Sequence, residues 1–79
     1  MMPLTMVSPD QQVRLVAIRG GQRLRKRLAD LGLNPGLVFR VVQRNGHGPL
    51  ILAVKDSRLA LGRGMAHKIM VEPTQEHFL

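Results

Sequence analysis

Hydrophobic residues along the chain change period several times, and each change marks an element boundary. Val13 to Arg19 (VRLVAIR) is rich in β-branched residues, partly alternating, and followed at once by Gly20-Gly21. That pattern predicts a strand of about seven residues ending in a sharp turn. A short strand is expected before it, at Leu4 to Val7. Gln22 to Leu31 (QRLRKRLADL) switches to helical spacing: Leu24, Leu28 and Leu31 fall at i, i+4 and i+7 on one face, and Arg23, Arg25 and Lys26 point away from it. Gly32 stands where a left-handed residue ends a helix, and Leu33 is placed to close over Leu28, as in a Schellman ending.

Asn34-Pro35-Gly36 combines a preset φ at Pro35 with a residue free to take positive φ, the chemistry of a type II turn. Leu37 to Arg44 (LVFRVVQR) then reads as a strand, Asn45 to Pro49 (NGHGP) as a hairpin tip, and Leu50 to Lys55 (LILAVK) as the returning strand. Asp56-Ser57 is expected to turn the chain into Arg58 to Leu61, and Gly62 to His67 to form a short helical turn before a last strand, Lys68 to Glu72. Pro73 to Leu79 reads as a loose tail outside a core of about residues 4–72. The expected fold is therefore mainly β: a small, partly open barrel of five to six strands with one helix inserted early. Val38 and Val42 oppose Leu37, Phe39 and Val41, while Ile51 and Ala53 oppose Leu50, Leu52 and Val54. A barrel has one interior, so the second apolar face must be covered by the helix or serve as a contact surface.

At 79 residues the chain has room for one domain. Its 44% apolar content includes only two aromatics, Phe39 and Phe78, so the core must be aliphatic. Cysteine is absent, which excludes disulfides and thiolate metal sites and fits a reducing compartment. No apolar run approaches the roughly 18 residues of a membrane span, and the first ten residues have no basic, apolar leader pattern; a cytoplasmic location is expected. Twelve Lys and Arg against five Asp and Glu give a charge of +7, able to attract nucleic acid, anionic lipid or an acidic protein.

Few residues carry candidate chemistry. His47, His67 and His77 occupy a hairpin tip, a turn and the tail, without the close spacing of a metal site. Asp56, Ser57 and His67 could be written as a hydrolase triad, but no nucleophile elbow surrounds the serine. No phosphate-binding glycine loop is present. Neither a catalytic centre nor a cofactor is expected. Two surface features remain. One is the basic cluster Arg23, Arg25, Lys26 and Arg27, which serves as a solvated helix face or as a docking patch for an acidic partner. The other is the corner Leu31, Leu33, Pro35 and Leu37, which is either core or the apolar centre of an interface.

The string RLADLGLNPG, Arg27 to Gly36, resembles the signature of the FeoA family: a basic residue, a short helix ending in an acidic-Leu-Gly, one aliphatic residue, then a polar-Pro-Gly turn. LALGRGMAHKIMV, Leu59 to Val71, is similar to the family's C-terminal pattern, although Gly62 to Met65 (GRGM) stands where many relatives carry a more polar stretch. With Val13 to Ile18, the resemblance covers nearly all of Leu4 to Glu72. It implies an SH3-like barrel and a role beside FeoB, a ferrous-iron membrane transporter whose cytosolic portion carries a G domain. An accessory protein of that kind is expected to dock rather than catalyse, and the basic cluster and the apolar corner are the surfaces expected to meet the partner. A basic barrel that binds nucleic acid is the alternative, weakened by the scarcity of aromatics for base stacking. Self-association through unpaired strand edges is compatible with either.

Overall fold

The computed structural model describes residues 1–74 apart from Asn45 and His47. Six strands, β1 (Met2–Pro3), β2 (Gln12–Ile18), β3 (Val38–Arg44), β4 (Leu50–Val54), β5 (Ser57–Leu61) and β6 (Ile69–Pro73), make one antiparallel sheet ordered β1-β6-β2-β3-β4-β5. The terminal strands of that order do not pair with each other, so the barrel is partly open, as the pattern predicts. Helix α1 (Gln22–Asp30) follows β2, and the short helix α2 (Arg63–Ala66) precedes β6. No helix among the described residues is long and apolar enough to cross a membrane.

Alternation puts Val13 and Leu15 of β2, Phe39 and Val41 of β3, Leu50, Leu52 and Val54 of β4, Leu61 of β5, and Ile69 and Val71 of β6 into one core. A strict period of two would bury Ala17 and expose Ile18. Instead the register against β6 shifts between Leu15 and Ala17, so β2 carries an extra residue at the bulge. The bulge returns Ile18 to the inside and leaves Val16 37% exposed. A second shift, between Val41 and Gln43, bends β3 against β4.

Three local expectations need correction. The strand expected at Leu4 to Val7 is instead a 3-10 turn at Leu4–Met6, with β1 just before it. Pro3 has no N–H for a ladder, and the Val7 N–H donates to the Leu4 carbonyl at 3.2 Å, which drives both Leu4 and Val7 into the core. The turn expected at Asp56-Ser57 sits one residue earlier: Ser57 pairs with Val54, and Lys55 takes φ 55°. That register places Leu61 opposite Leu50, so both are buried. Leu31 lies just beyond α1 and is 42% exposed, while Leu28 is the helix's one fully buried residue and Leu24 packs at the core margin. A tight turn at Ser8 to Gln11, which the hydrophobic pattern does not signal, has Pro9 before Asp10 at φ 67°, and the Gln11 N–H donates to the Ser8 carbonyl at 3.2 Å.

The helix ending matches its expected form. The Gly32 N–H donates to the Ala29 carbonyl at 2.9 Å, and the Leu33 N–H to the Leu28 carbonyl at 2.8 Å, with Gly32 at φ 89°. These are the two bonds of a Schellman motif, and Leu28 and Leu33 are both fully buried beneath it. Gly36 follows at φ 96°, and the Leu37 N–H closes the Asn34–Leu37 turn on the Asn34 carbonyl at 3.1 Å.

A Cβ at Gly32 would meet nothing within 4 Å, so replacing it tests backbone conformation alone. Gly32→Ala is expected to lower unfolding free energy by about 1–2 kcal/mol, the cost of a left-handed residue with a Cβ. Gly64→Ala, inside α2 at ordinary φ and equally unobstructed, should raise it by about 0.5–1 kcal/mol. Chemical denaturation of the pair checks this, and equal effects of the same sign would contradict the assignment.

Candidate functional site

Helix α1 divides the cluster Arg23, Arg25, Lys26 and Arg27 between two directions. All four side chains are exposed. Arg25 and Lys26, one turn before Ala29, line a groove with Ala29; Arg23 and Arg27 do not line it. The other wall is Val16, Ala17 and Ile18 of β2, and Asn34-Pro35 closes one end. The groove holds about 480 Å³, and its lining is mostly apolar with two cations, Arg25 and Lys26. No carboxylate lines it.

The expected apolar corner is divided as well. Leu33 is fully buried and Leu37 packs against the core, so neither Leu33 nor most of Leu37 is available as surface. Pro35 is exposed in the first groove. Leu31 lines a second groove of about 260 Å³ with Gly32, Val54, Lys55, Ser57, Arg58 and Leu59. Residues of the helix and its terminal turn thus line two grooves, each mostly apolar with cations among its lining. Sequence spacing alone did not reveal the first groove, because its β2 wall depends on the bulge at Val16. The weak signal was the phase slip in VRLVAIR itself.

Electrostatics on this surface are one-sided. Among the described residues the one ion pair is Arg14 with Glu72, at 3.2 Å between register partners of β2 and β6, both about half exposed. A pair of that kind contributes at most about 1 kcal/mol. The cations of α1 therefore have no ion-pair partner within the described chain. The first turn of α1 contains no acidic residue, and Gly21 offers no side-chain cap. Arg23 thus lies against the positive end of the helix dipole.

The remaining candidates are scattered. His67 is exposed at the C-terminal end of α2, Asp56 and Ser57 are exposed at the β4–β5 hairpin, and no hydrogen bond joins the three. His47 and His77 lie outside the described residues. Among those described, no group of three His, Cys, Asp or Glu residues could hold a metal ion. Arg63 of α2 donates to the Gly46 carbonyl, tying the helix to the β3–β4 hairpin.

Residues 2–73 match the FeoA domain family. The chain is 39% identical to a Methanocaldococcus jannaschii relative that takes its name from Fe(2+) transport, Fe(2+) transport protein A, across 95% of this chain and 90% of that one. It superposes on the crystal structure of an iron uptake regulatory protein, FeoA, with a TM-score of 0.84 and 34% identity, covering 92% of this chain and 96% of that one. The manganese regulator SloR shares the fold at 18% identity and a TM-score of 0.82; 92% of this chain matches 34% of SloR.

Replacing Arg23 by Glu exchanges an unfavourable charge at the helix start for a favourable one. The expected gain is about 0.3–1 kcal/mol, a rise of a few degrees in the thermal midpoint measured by circular dichroism. A fall would mean that Arg23 makes a stabilising contact that outweighs the dipole.

Proposed function

Because this chain belongs to the FeoA domain family, we propose that it is a non-enzymatic accessory protein of ferrous iron transport, and that it docks on the cytosolic part of the membrane transporter FeoB. The observation that carries this reading is the match to the family over residues 2–73, with 39% and 34% identity to relatives named for iron transport and iron uptake. The surface suits a docking role. Exposed cations on α1 without ion-pair partners would steer an acidic surface toward the protein, raising the association rate more than the affinity. The two grooves beside α1 offer apolar area that a docking partner would desolvate.

Docking becomes regulation only if the protein prefers one conformation of the transporter, since a ligand shifts an equilibrium only by its differential affinity for the two states. The α1 and β2 surfaces would then bias the nucleotide-linked cycle of FeoB. The charge of +7 keeps nucleic acid as a second reading. Against it, the one described aromatic, Phe39, is buried, so no described ring is free to stack on a base.

Binding to FeoB in nanodiscs is measured in nucleotide-free, GDP and GTP-analogue states at two salt concentrations. The expected outcome is micromolar or tighter binding that differs at least severalfold among states and weakens with salt. Equal affinity in every state would reduce the protein to a scaffold. Absence of FeoB binding together with salt-steep oligonucleotide binding would replace this function by the nucleic-acid one.

A further inference from the structure

Strand β2 changes partners along its length. It pairs with β3 through Gln12, Val13 and Arg14, and the segment leading into β3 last meets it at Leu15, whose N–H donates to the Leu37 carbonyl and whose carbonyl accepts from the Gly36 N–H, both at 2.8 Å. Beyond that point β2 continues to Ile18 with β6 on one side only. The Arg19 N–H donates to the Lys68 carbonyl at 2.7 Å, on the β6 side. Successive residues of a strand direct their backbone groups to opposite sides, so the N–H and carbonyl of Ile18 point away from β6. The wall they present is the wall of the 480 Å³ groove. A short interior strand edge thus opens onto a mostly apolar groove that two exposed cations, Arg25 and Lys26, also line.

We propose that this groove receives an extended, acidic segment of a partner protein as an added strand beside Val16–Ile18. The three residues Val16–Ile18 span about 10 Å, room for about three residues of peptide to pair alongside. Backbone bonds to the outward N–H and carbonyl of Ile18 would set the register, as in other cases of strand addition. Apolar side chains of the segment would meet Val16, Ala29 and Pro35, and its carboxylates would meet Arg25 and Lys26. The sign of the segment follows from charge complementarity, since the lining holds two cations and no carboxylate. This inference rests on the reading of the chain as a docking module and assigns that role to one groove and one ligand chemistry.

The probe is a blocked hexapeptide alternating Glu and Val, added to the isotope-labelled full chain. Chemical-shift changes are expected at Val16, Ala17, Ile18 and Ala29. Arg25→Glu/Lys26→Glu, with the fold verified by circular dichroism, should weaken binding about tenfold or more. N-methylation of alternate peptide amides should do the same, because it removes the strand bonds while keeping every charge. Binding that survives N-methylation, that ignores the double reversal, or that maps to the second groove would overturn the proposal. So would self-association that buries Val16–Ile18 against a second copy. FeoB binding separates the two levels: FeoB held equally well by the double variant removes the groove and keeps the docking function, whereas peptide binding without FeoB binding does the reverse.

Discussion

The bond from the Leu33 N–H to the Leu28 carbonyl, made possible by the left-handed backbone of Gly32, sets the position of everything around α1. It folds the chain back tightly enough that Leu28, the last inward residue of the helix, and Leu33, the first inward residue after it, enter the core side by side. The Asn34–Leu37 turn follows without slack and delivers Gly36 and Leu37 to Leu15 of β2. A nine-residue helix with a single fully buried residue would not hold a fixed place by packing alone. Its place is set by this covalently short, doubly hydrogen-bonded ending.

That placement leaves space beside the helix. Since α1 is anchored mainly through Leu28 and Leu24, its Arg25, Lys26 and Ala29 positions stand off from β2 and line a groove. The bulge in β2 contributes the facing wall: it keeps Ile18 in the core, turns Val16 outward, and carries β2 past the point where β3 leaves it. Stability and surface are thus linked at one residue, because the extra position that preserves the core also exposes the apolar side chain.

Charge acts on a different scale. One half-exposed ion pair, Arg14 with Glu72, is the single such contact among the described residues, so the excess of basic side chains adds little to folding and acts as a field around the molecule. The cations at the start of α1 oppose the helix dipole. A feature that costs local stability and has no internal partner is a natural place to seek an external one.

Local chemistry in the sequence determined the elements: the period change at Gln22, the glycines at 32 and 36 with their positive φ, the alternating strands from Leu37 to Leu61, and with them a mainly β, partly open barrel. These were legible because each depends on neighbours within about four residues. The motif RLADLGLNPG was legible for the same reason. Tertiary structure alone decided the rest. It separated Arg25 and Lys26 from Arg23 and Arg27, left Leu31 exposed, and moved the hairpin turn to Lys55-Asp56 so that Leu50 and Leu61 could meet. It also opened the groove at β2. Each of these outcomes depends on which distant strand lies alongside, and sequence spacing fixes the face a residue occupies on its own element without specifying what that face meets.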